Sequence, residues 1–337
     1  MSYKRLVAFT TVLTFFLIML GAFVRLTDAG LGCPDWPGCY GKLTPNQAAE
    51  QIAEAVEVQG GTHGPVSMPK AWKEMVHRYV ATFLGLLIIG ITVMAWKKRD
   101  ELKQSPALAT WLLFAVCLQG AFGAWTVTML LKPAIVTGHL IGGMTILGML
   151  TWLWLRQTSP VRTVAPPTST AKLRVFARIG LVVVAAQIVL GGWVSTNYAA
   201  VVCTDFPTCQ GSYWPNMEFN HAFHIVRHLG ETPDGEILNV ASLIAIHMIH
   251  RMGAIAVALV IGGLALALWR NAGTRALAIL VAGILTLQIA MGVGNVVFQL
   301  PLWLAVAHNG GAALLLVTLI LVNYRVAGAA GSSRKIS

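Results

Sequence analysis

Two short segments place a histidine and an arginine side by side at the start of an apolar run. They are residues 74–78, with the sequence EMVHR, and residues 247–251, with the sequence HMIHR. Ionisable side chains are costly inside a membrane and usually mark a functional site there, so these pairs indicate a buried cofactor. The copies differ three positions before the shared histidine, where the first has Glu74 and the second has His247.

Two further histidines, His139 and His308, each follow a proline by six or seven residues, and proline is favoured at a helix start. At 1.5 Å per residue they lie ~9–11 Å into their helices, near the depth expected for His77 and His250. Paired histidines on facing helices of a four-helix bundle can bind a haem iron. Zinc is a weaker alternative, because no cysteine or extra carboxylate completes a tetrahedral set. The pattern predicts two haem-sized sites, one in each half of the chain. For any single histidine, the alternative is a packed polar residue that binds no ligand.

Only the first of these sites has an acidic side chain beside it. On a helix, Glu74 shares a face with His77, and a carboxylate at the edge of an apolar cavity can act as an acid or a base. The alternative is an exposed carboxylate favoured by the dipole at a helix start. Arg78 and Arg251 are suited to bind haem propionates, or alternatively extend to the membrane interface.

The composition is typical of an integral membrane protein. Of the 337 residues, 56% are hydrophobic and only 11% are charged. Eight apolar runs approach the length needed to cross ~30 Å of hydrocarbon. These runs cover about residues 6–26, 74–96, 107–130, 134–155, 173–197, 241–269, 275–299 and 301–324.

Basic residues predict the orientation of the spans. With the N-terminus inside, most lysines and arginines fall on the inner side, which predicts cytoplasmic termini in a bacterial inner membrane. The first run lacks a small-residue cleavage site, so we expect it to be a span and not a signal peptide. The net charge of +11 reflects this topology and does not indicate nucleic acid, because the basic residues flank spans and form no continuous stripe.

The chain contains an internal repeat. Landmarks of the first outer loop recur 170 positions later in the third, and Gln119, Gly123 and His139 recur 169 positions later. Four spans per unit bring both copies into the membrane from the same side. We therefore predict an all-α integral membrane protein with eight transmembrane helices in two tandem four-helix bundles. The predicted parts are the repeats 1–155 and 173–325, a cytoplasmic linker 156–172 and a cytoplasmic tail 326–337; a surface helix is expected near 46–58.

The outer loops carry two cysteine pairs of equal spacing, Cys33 with Cys39 and Cys203 with Cys209. Thiols oxidise outside the inner membrane, so two local disulfides are expected, with a redox-active dithiol or a metal site as alternatives. Three more histidines of the third outer loop have the spacing of one helix face: His221, His224 and His228. A solvated helical loop is the simpler interpretation of these three, and a metal site is the alternative.

These motifs together resemble those of haem A synthases, membrane enzymes that convert haem O to haem A for cytochrome oxidases. The resemblance extends over essentially all eight spans. The motifs that carry it are Gly21 to Arg25, Gly30 to Gly41, Glu74 to Arg78, Gly138-His139, His250-Arg251 and Ala307 to Asn309.

The resemblance implies a haem b cofactor in the C-terminal half, with His250 and His308 as its axial ligands. It also implies that the N-terminal half accepts haem O, with His77 and His139 near the iron, and that Glu74 is the essential acidic residue. The implied reaction oxidises the C8 methyl group to a formyl group by successive hydroxylations with oxygen from water. Expected partners are the farnesyl-transferring haem O synthase, an unidentified electron acceptor, the bilayer and a second copy of the chain.

Two other classes of protein share some of these features. A dihaem b-type electron carrier, linked to quinol, would use the same four histidines, but it would have no need of Glu74 in one half only. A transporter is suggested by the duplication and the glycine-rich spans, and it would retain no chromophore. The motifs favour the synthase.

Overall fold

The computed structural model describes residues 2–158 and 167–327. Within these ranges the chain is helical and contains no strand, only isolated bridges in the outer loops. The helices are α1 (Tyr3–Leu26), α2 (Ala49–Val58), α3 (Met68–Lys97), α4 (Arg99–Leu102), α5 (Ala107–Thr128), α6 (Pro133–Thr158), α7 (Pro167–Thr196), α8 (Val240–Trp269), α9 (Arg275–Val297) and α10 (Leu302–Ala327). Most of the predicted tail, and part of the predicted linker, lie outside the described residues.

Eight of the described helices are long and apolar enough to cross a membrane, namely α1, α3 and α5 to α10. The predicted all-α fold with eight spans is thereby confirmed. Some helices begin before the apolar run does. The side chain of Ser67 accepts a hydrogen bond from the amide of Lys70, so α3 starts with a polar turn. Asn239 caps α8 in the same way.

The packing fits two tandem units of four helices. In the first unit α1 contacts α3 and α6, and α5 contacts α3 and α6; α7 to α10 repeat this arrangement. The units meet through α1, α6, α7 and α10, which places α3, α5, α8 and α9 at the periphery. One apolar core, which contains Ile88 and Leu150, lies in the first unit. The other contains Ile261 and Leu319 of the second unit and extends onto Leu147 of α6, so it also packs the two units together. The predicted domain boundaries stay a prediction.

The two cysteine loops fold alike. Disulfides join Cys33 to Cys39 and Cys203 to Cys209, as the spacing predicted. Inside the first loop, the Asp35 carboxylate accepts hydrogen bonds from the amides five and six residues later, at 2.6 and 2.7 Å. Asp205 does the same in the second loop, at 2.7 and 3.0 Å. The sequence repeat is therefore also a repeat of loop structure.

The rest of the third outer loop differs from the prediction. Residues 221–228 form turns and bends, so the helix expected for His221, His224 and His228 is wrong. The reason is a buried arginine that holds the chain in an irregular path: Arg227 donates to Asn197 Oδ1 and lies 5.7 Å from the ring centre of Trp193. Burial lowers the pKa of Arg227. Among the described residues no group of three or more histidine, cysteine or acidic side chains is arranged to hold a metal ion.

Candidate haem sites

Each of the four membrane histidines packs against a glycine on the neighbouring helix. His77 of α3 lies against Gly21 of α1, and a Cβ atom added to that glycine would be 3.1 Å from the ring Cε1 atom. The same relation holds at 3.0–3.3 Å in three more pairs, Gly123 with His139, Gly191 with His250 and Gly292 with His308. Real Cβ atoms rarely approach so closely, so these glycines allow the rings to occupy their positions.

The histidines form two pairs, one in each unit. The ring centres of His77 and His139 are 6.5 Å apart, with 70° between the ring planes. A metal–imidazole bond of about 2 Å on each side would give a centre-to-centre distance of roughly 6 Å for two ligands of one metal. His250 and His308 also interact electrostatically with one another. The first pair therefore fits two ligands of one haem iron, and the second pair repeats its packing on glycines.

Three of these rings have a buried polar atom that the described residues do not satisfy. The Nδ1 atoms of His77, His139 and His308 are buried and have no hydrogen-bond partner among the described residues. A packed polar histidine would normally have one, because buried polar atoms are almost always paired. This argues for ligand-binding sites over the simpler alternative of structural histidines.

Glu74 is buried and serves as the link between α3 and the first cysteine loop. Its side chain is only 6% exposed and accepts hydrogen bonds from the Cys33 amide at 2.9 Å and from Arg78 Nη2 at 2.6 Å. The alternative of an exposed helix-end carboxylate is therefore wrong. Because Glu74 precedes His77 by three residues, this ion pair lies directly beside the first candidate haem site.

The two arginines bind the cysteine loops through backbone carbonyl groups. Arg78 Nη1 donates to the oxygen atoms of Asp35 at 2.8 Å and Gly38 at 2.6 Å. Arg251 donates to the oxygen atoms of Thr208 at 2.8 Å and Asp205 at 3.0 Å. This function was not foreseen from the sequence, since backbone acceptors leave no signature there. Binding of propionates by Arg78 and Arg251 stays a prediction, and it would have to coexist with these contacts.

His247 takes the place of Glu74 in the second unit. It is buried, it hydrogen-bonds to the backbone of Ala199, and its Nδ1 atom has no partner among the described residues. The contact joins α8 to the start of the third outer loop, as Glu74 joins α3 to the first. The two units thus share one architecture, with a carboxylate at this position in one and an imidazole in the other.

Comparison with known proteins identifies the family of this chain. The family model for COX15-CtaA, described as cytochrome oxidase assembly protein, matches residues 4–320. The chain belongs to the COX15-CtaA family. Among curated relatives, the haem A synthase of Shewanella oneidensis is 42% identical over 326 residues, which cover 96% of each chain. The haem A synthase of Rhizorhabdus wittichii is 28% identical over 329 residues, covering 92% of this chain and 89% of the relative. That of Bradyrhizobium diazoefficiens is 27% identical over 330 residues, covering 92% and 88%.

The COX15-CtaA match runs from α1 into α10 and so includes both histidine pairs. It confirms the resemblance seen in the sequence. Both candidate sites of this COX15-CtaA protein therefore lie in the part that it shares with its relatives.

Proposed function

We propose that this COX15-CtaA protein is a haem A synthase, an oxidoreductase that converts the C8 methyl group of haem O to a formyl group. The observation that carries the proposal is an asymmetry between two otherwise similar sites. Each has two histidines, but among the described residues only the first site has a buried acidic group, Glu74, beside them. The curated relatives named haem A synthases support the same activity. A dihaem electron carrier would have no need of this difference.

The two histidine pairs would then have different roles. His250 and His308 are the residues that would hold haem b, which supplies a one-electron redox centre between the substrate and an external electron acceptor. His77 and His139 would bind haem O, the substrate, and fix the orientation of its ring. The glycines against all four rings leave the space that such positioning requires.

Glu74 would act on the water that supplies the new oxygen. Each hydroxylation adds one oxygen atom from water and releases two protons and two electrons; the second gives a geminal diol, which loses water to become the formyl group. A carboxylate can accept a proton from the attacking water and can stabilise positive charge that develops on the substituent. Arg78 holds this carboxylate in place, since its other donors are bound to the loop.

The proposal extends to location and partners. Two disulfides suit an oxidising compartment, so the cysteine loops would face the periplasm and the termini the cytoplasm. Haem O would come from a farnesyl-transferring enzyme, and an electron acceptor would reoxidise haem b. A second copy of the chain remains a predicted partner.

The test is acid–acetone extraction and mass analysis of the haems in protein purified from cells that supply haem O. We expect haem b together with haem O, an oxidised intermediate or haem A. Protein from cells that cannot make haem O is the control, and it should contain haem b alone. Two equivalents of haem b despite plentiful haem O would establish the electron carrier instead, and protein without any chromophore would favour a transporter.

A further inference from the structure

Three of the four histidine-bearing helices are tied to a neighbouring helix by a glutamine. In each case the glutamine Nε2 atom donates to the backbone oxygen of the histidine itself. The bonds run from Gln119 to His139 at 2.8 Å, from Gln187 to His250 at 2.9 Å and from Gln288 to His308 at 3.0 Å. Every one of these glutamines precedes by four residues the glycine on which that histidine ring packs. One turn of the neighbouring helix therefore provides both the hydrogen bond to the histidine backbone and the glycine on which the ring packs.

The helix that carries the histidine also leaves space for the glutamine side chain. A glycine follows each of the three histidines by three residues, at positions 142, 253 and 311. A Cβ atom at any of them would lie 2.0–2.2 Å from the glutamine Oε1 atom, which is a direct clash. We call this combination, glutamine on one helix and glycine on the other, the glutamine anchor.

His77 has no glutamine anchor. The position four residues before Gly21 is Leu17, and the position three residues after His77 is Val80. Both side chains belong to the apolar core of the first unit. The glycine beneath the ring is thus retained, while both parts of the anchor are replaced by apolar side chains.

The anchors also differ in how closely they approach the ring. Gln187 Nε2 lies 3.0 Å from Nδ1 of His250, and Gln288 Nε2 lies 3.4 Å from Nε2 of His308. Gln119 makes only the backbone bond to His139. In the second unit His250 is therefore restrained at its backbone and at Nδ1, whereas the restraint on His308 that is compatible with iron at Nε2 is the backbone bond. In the first unit His139 is restrained at the backbone only.

We propose that the glutamine anchors fix the histidines that hold a haem in place, and that unanchored His77 is the ligand that detaches and rebinds as substrate enters and product leaves. The inference rests on the proposed function, since it assigns haem exchange to the unit that contains Glu74. An interhelical hydrogen bond opposes sliding or tilting of the helix at the ligand position. Without one, α3 is held against α1 at this level by the apolar contacts of Leu17 and Val80, while its polar contacts on either side of His77 are made to the first cysteine loop.

The first experiment measures helix motion and needs no bound substrate. Hydrogen–deuterium exchange is followed in protein from cells that lack haem O. We expect amides just after His77 to exchange faster than those just after His250. The double variant Leu17→Gln/Val80→Gly installs an anchor and should slow exchange after His77 by roughly three- to tenfold, the effect of one interhelical hydrogen bond in a membrane. Leu17→Met/Val80→Ala is the matched control, which loosens the same contacts without an amide.

The second experiment follows ligand release by spectroscopy. Carbon monoxide binds a reduced haem iron only where an axial histidine leaves. We expect binding at the first unit and none at the second in the wild type. The added anchor at His77 should slow this binding roughly three- to tenfold, and Gln187→Leu/Gly253→Val should permit it at the second unit.

The outcomes separate this inference from the proposed function. Equal exchange after His77 and His250, or no slowing by the added anchor, would overturn the inference whatever the activity. Haem A formation at the wild-type rate by Leu17→Gln/Val80→Gly with slowed exchange would also overturn it, because detachment of His77 would then be unnecessary. Wild-type protein that forms no haem A would refute the proposed function, and the exchange comparison would still decide whether the anchors restrain the helices.

Discussion

Replacement of Glu74 by glutamine separates its proposed chemical role from its role in the loop. Glutamine keeps the size of the side chain and an acceptor for the Cys33 amide, which lies 2.9 Å away. It removes the charge that faces Arg78 at 2.6 Å, in a pair whose side chains are 6% and 11% exposed. The variant therefore changes charge and proton affinity with little change in shape.

The structural cost of this variant can be bounded. Loss of one partner of a buried ion pair typically costs about 3–5 kcal/mol, because the other charge is left uncompensated. Here Arg78 keeps carbonyl acceptors at 2.6 and 2.8 Å, so we expect a smaller cost of about 1–3 kcal/mol. The catalytic cost should be larger, since a positioned acid or base contributes roughly 10²–10⁴-fold.

The assay is haem A formed per haem b in membranes, together with the thermal transition of purified protein. We expect Glu74→Gln to retain its haem b spectrum and to lose at least a hundredfold in haem A formation. Asp35→Asn is the control, because it weakens the same loop through the amides bound at 2.6 and 2.7 Å and does not touch Glu74. An equal loss of activity in both variants at equal thermal stability would refute the chemical role. Activity of Glu74→Gln above a tenth of the wild type would do so as well.

Much of the fold could be predicted because its main determinant is the length of apolar runs. All eight predicted runs correspond to helices, and the surface segment predicted near 46–58 is α2 after one turn of 3-10 helix. The errors in the predicted spans lie at the helix starts. The apolar run of α3 begins near 74, whereas the helix begins at Met68, because a capped polar turn adds no hydrophobicity. Hydropathy records the lipid-facing part of a helix and not its capped ends.

The histidine pairs could be predicted, but the contacts that position them could not. Arg78 and Arg251 bind backbone carbonyl groups. Every residue type has a carbonyl group, so the sequence does not reveal these contacts, and it favoured haem propionates as the partners of the two arginines. Gly142, three residues after His139, accommodates the side chain of Gln119, a partner that the sequence does not indicate. The glycines under the rings come from neighbouring helices. Their repeat offset was visible in the sequence, but only the packing of the helices assigns them to a histidine.

Two further predictions concern the second unit. The hydroxyl group of Thr208, followed by backbone amides, lowers the pKa of Asp205 to about 2. The unfolded value is near 3.9, so this carboxylate stabilises its loop above about pH 4 and ceases to do so as the pH falls through 2. Pepsin cleavage of the loop should therefore increase as the pH falls from about 4 to about 2. The variant Asp205→Asn should be cleaved at both of these pH values. Cleavage of the wild type that does not vary with pH would contradict this assignment. For the candidate haem b site, Gly191→Ala places a methyl group 3.1 Å from Cε1 of His250, so the ring must shift and the haem-to-protein ratio should fall. Gly262→Ala is the matched control on the partner helix, because its added methyl group meets open space and alanine favours a helix by up to ~1 kcal/mol over glycine. Both variants add one methyl group to a membrane-spanning helix, so a general disturbance of the bilayer-embedded fold would affect them alike. Loss of haem in Gly191→Ala alone follows only if the position of the His250 ring determines binding, and full haem content in that variant would exclude His250 as a ligand held against Gly191.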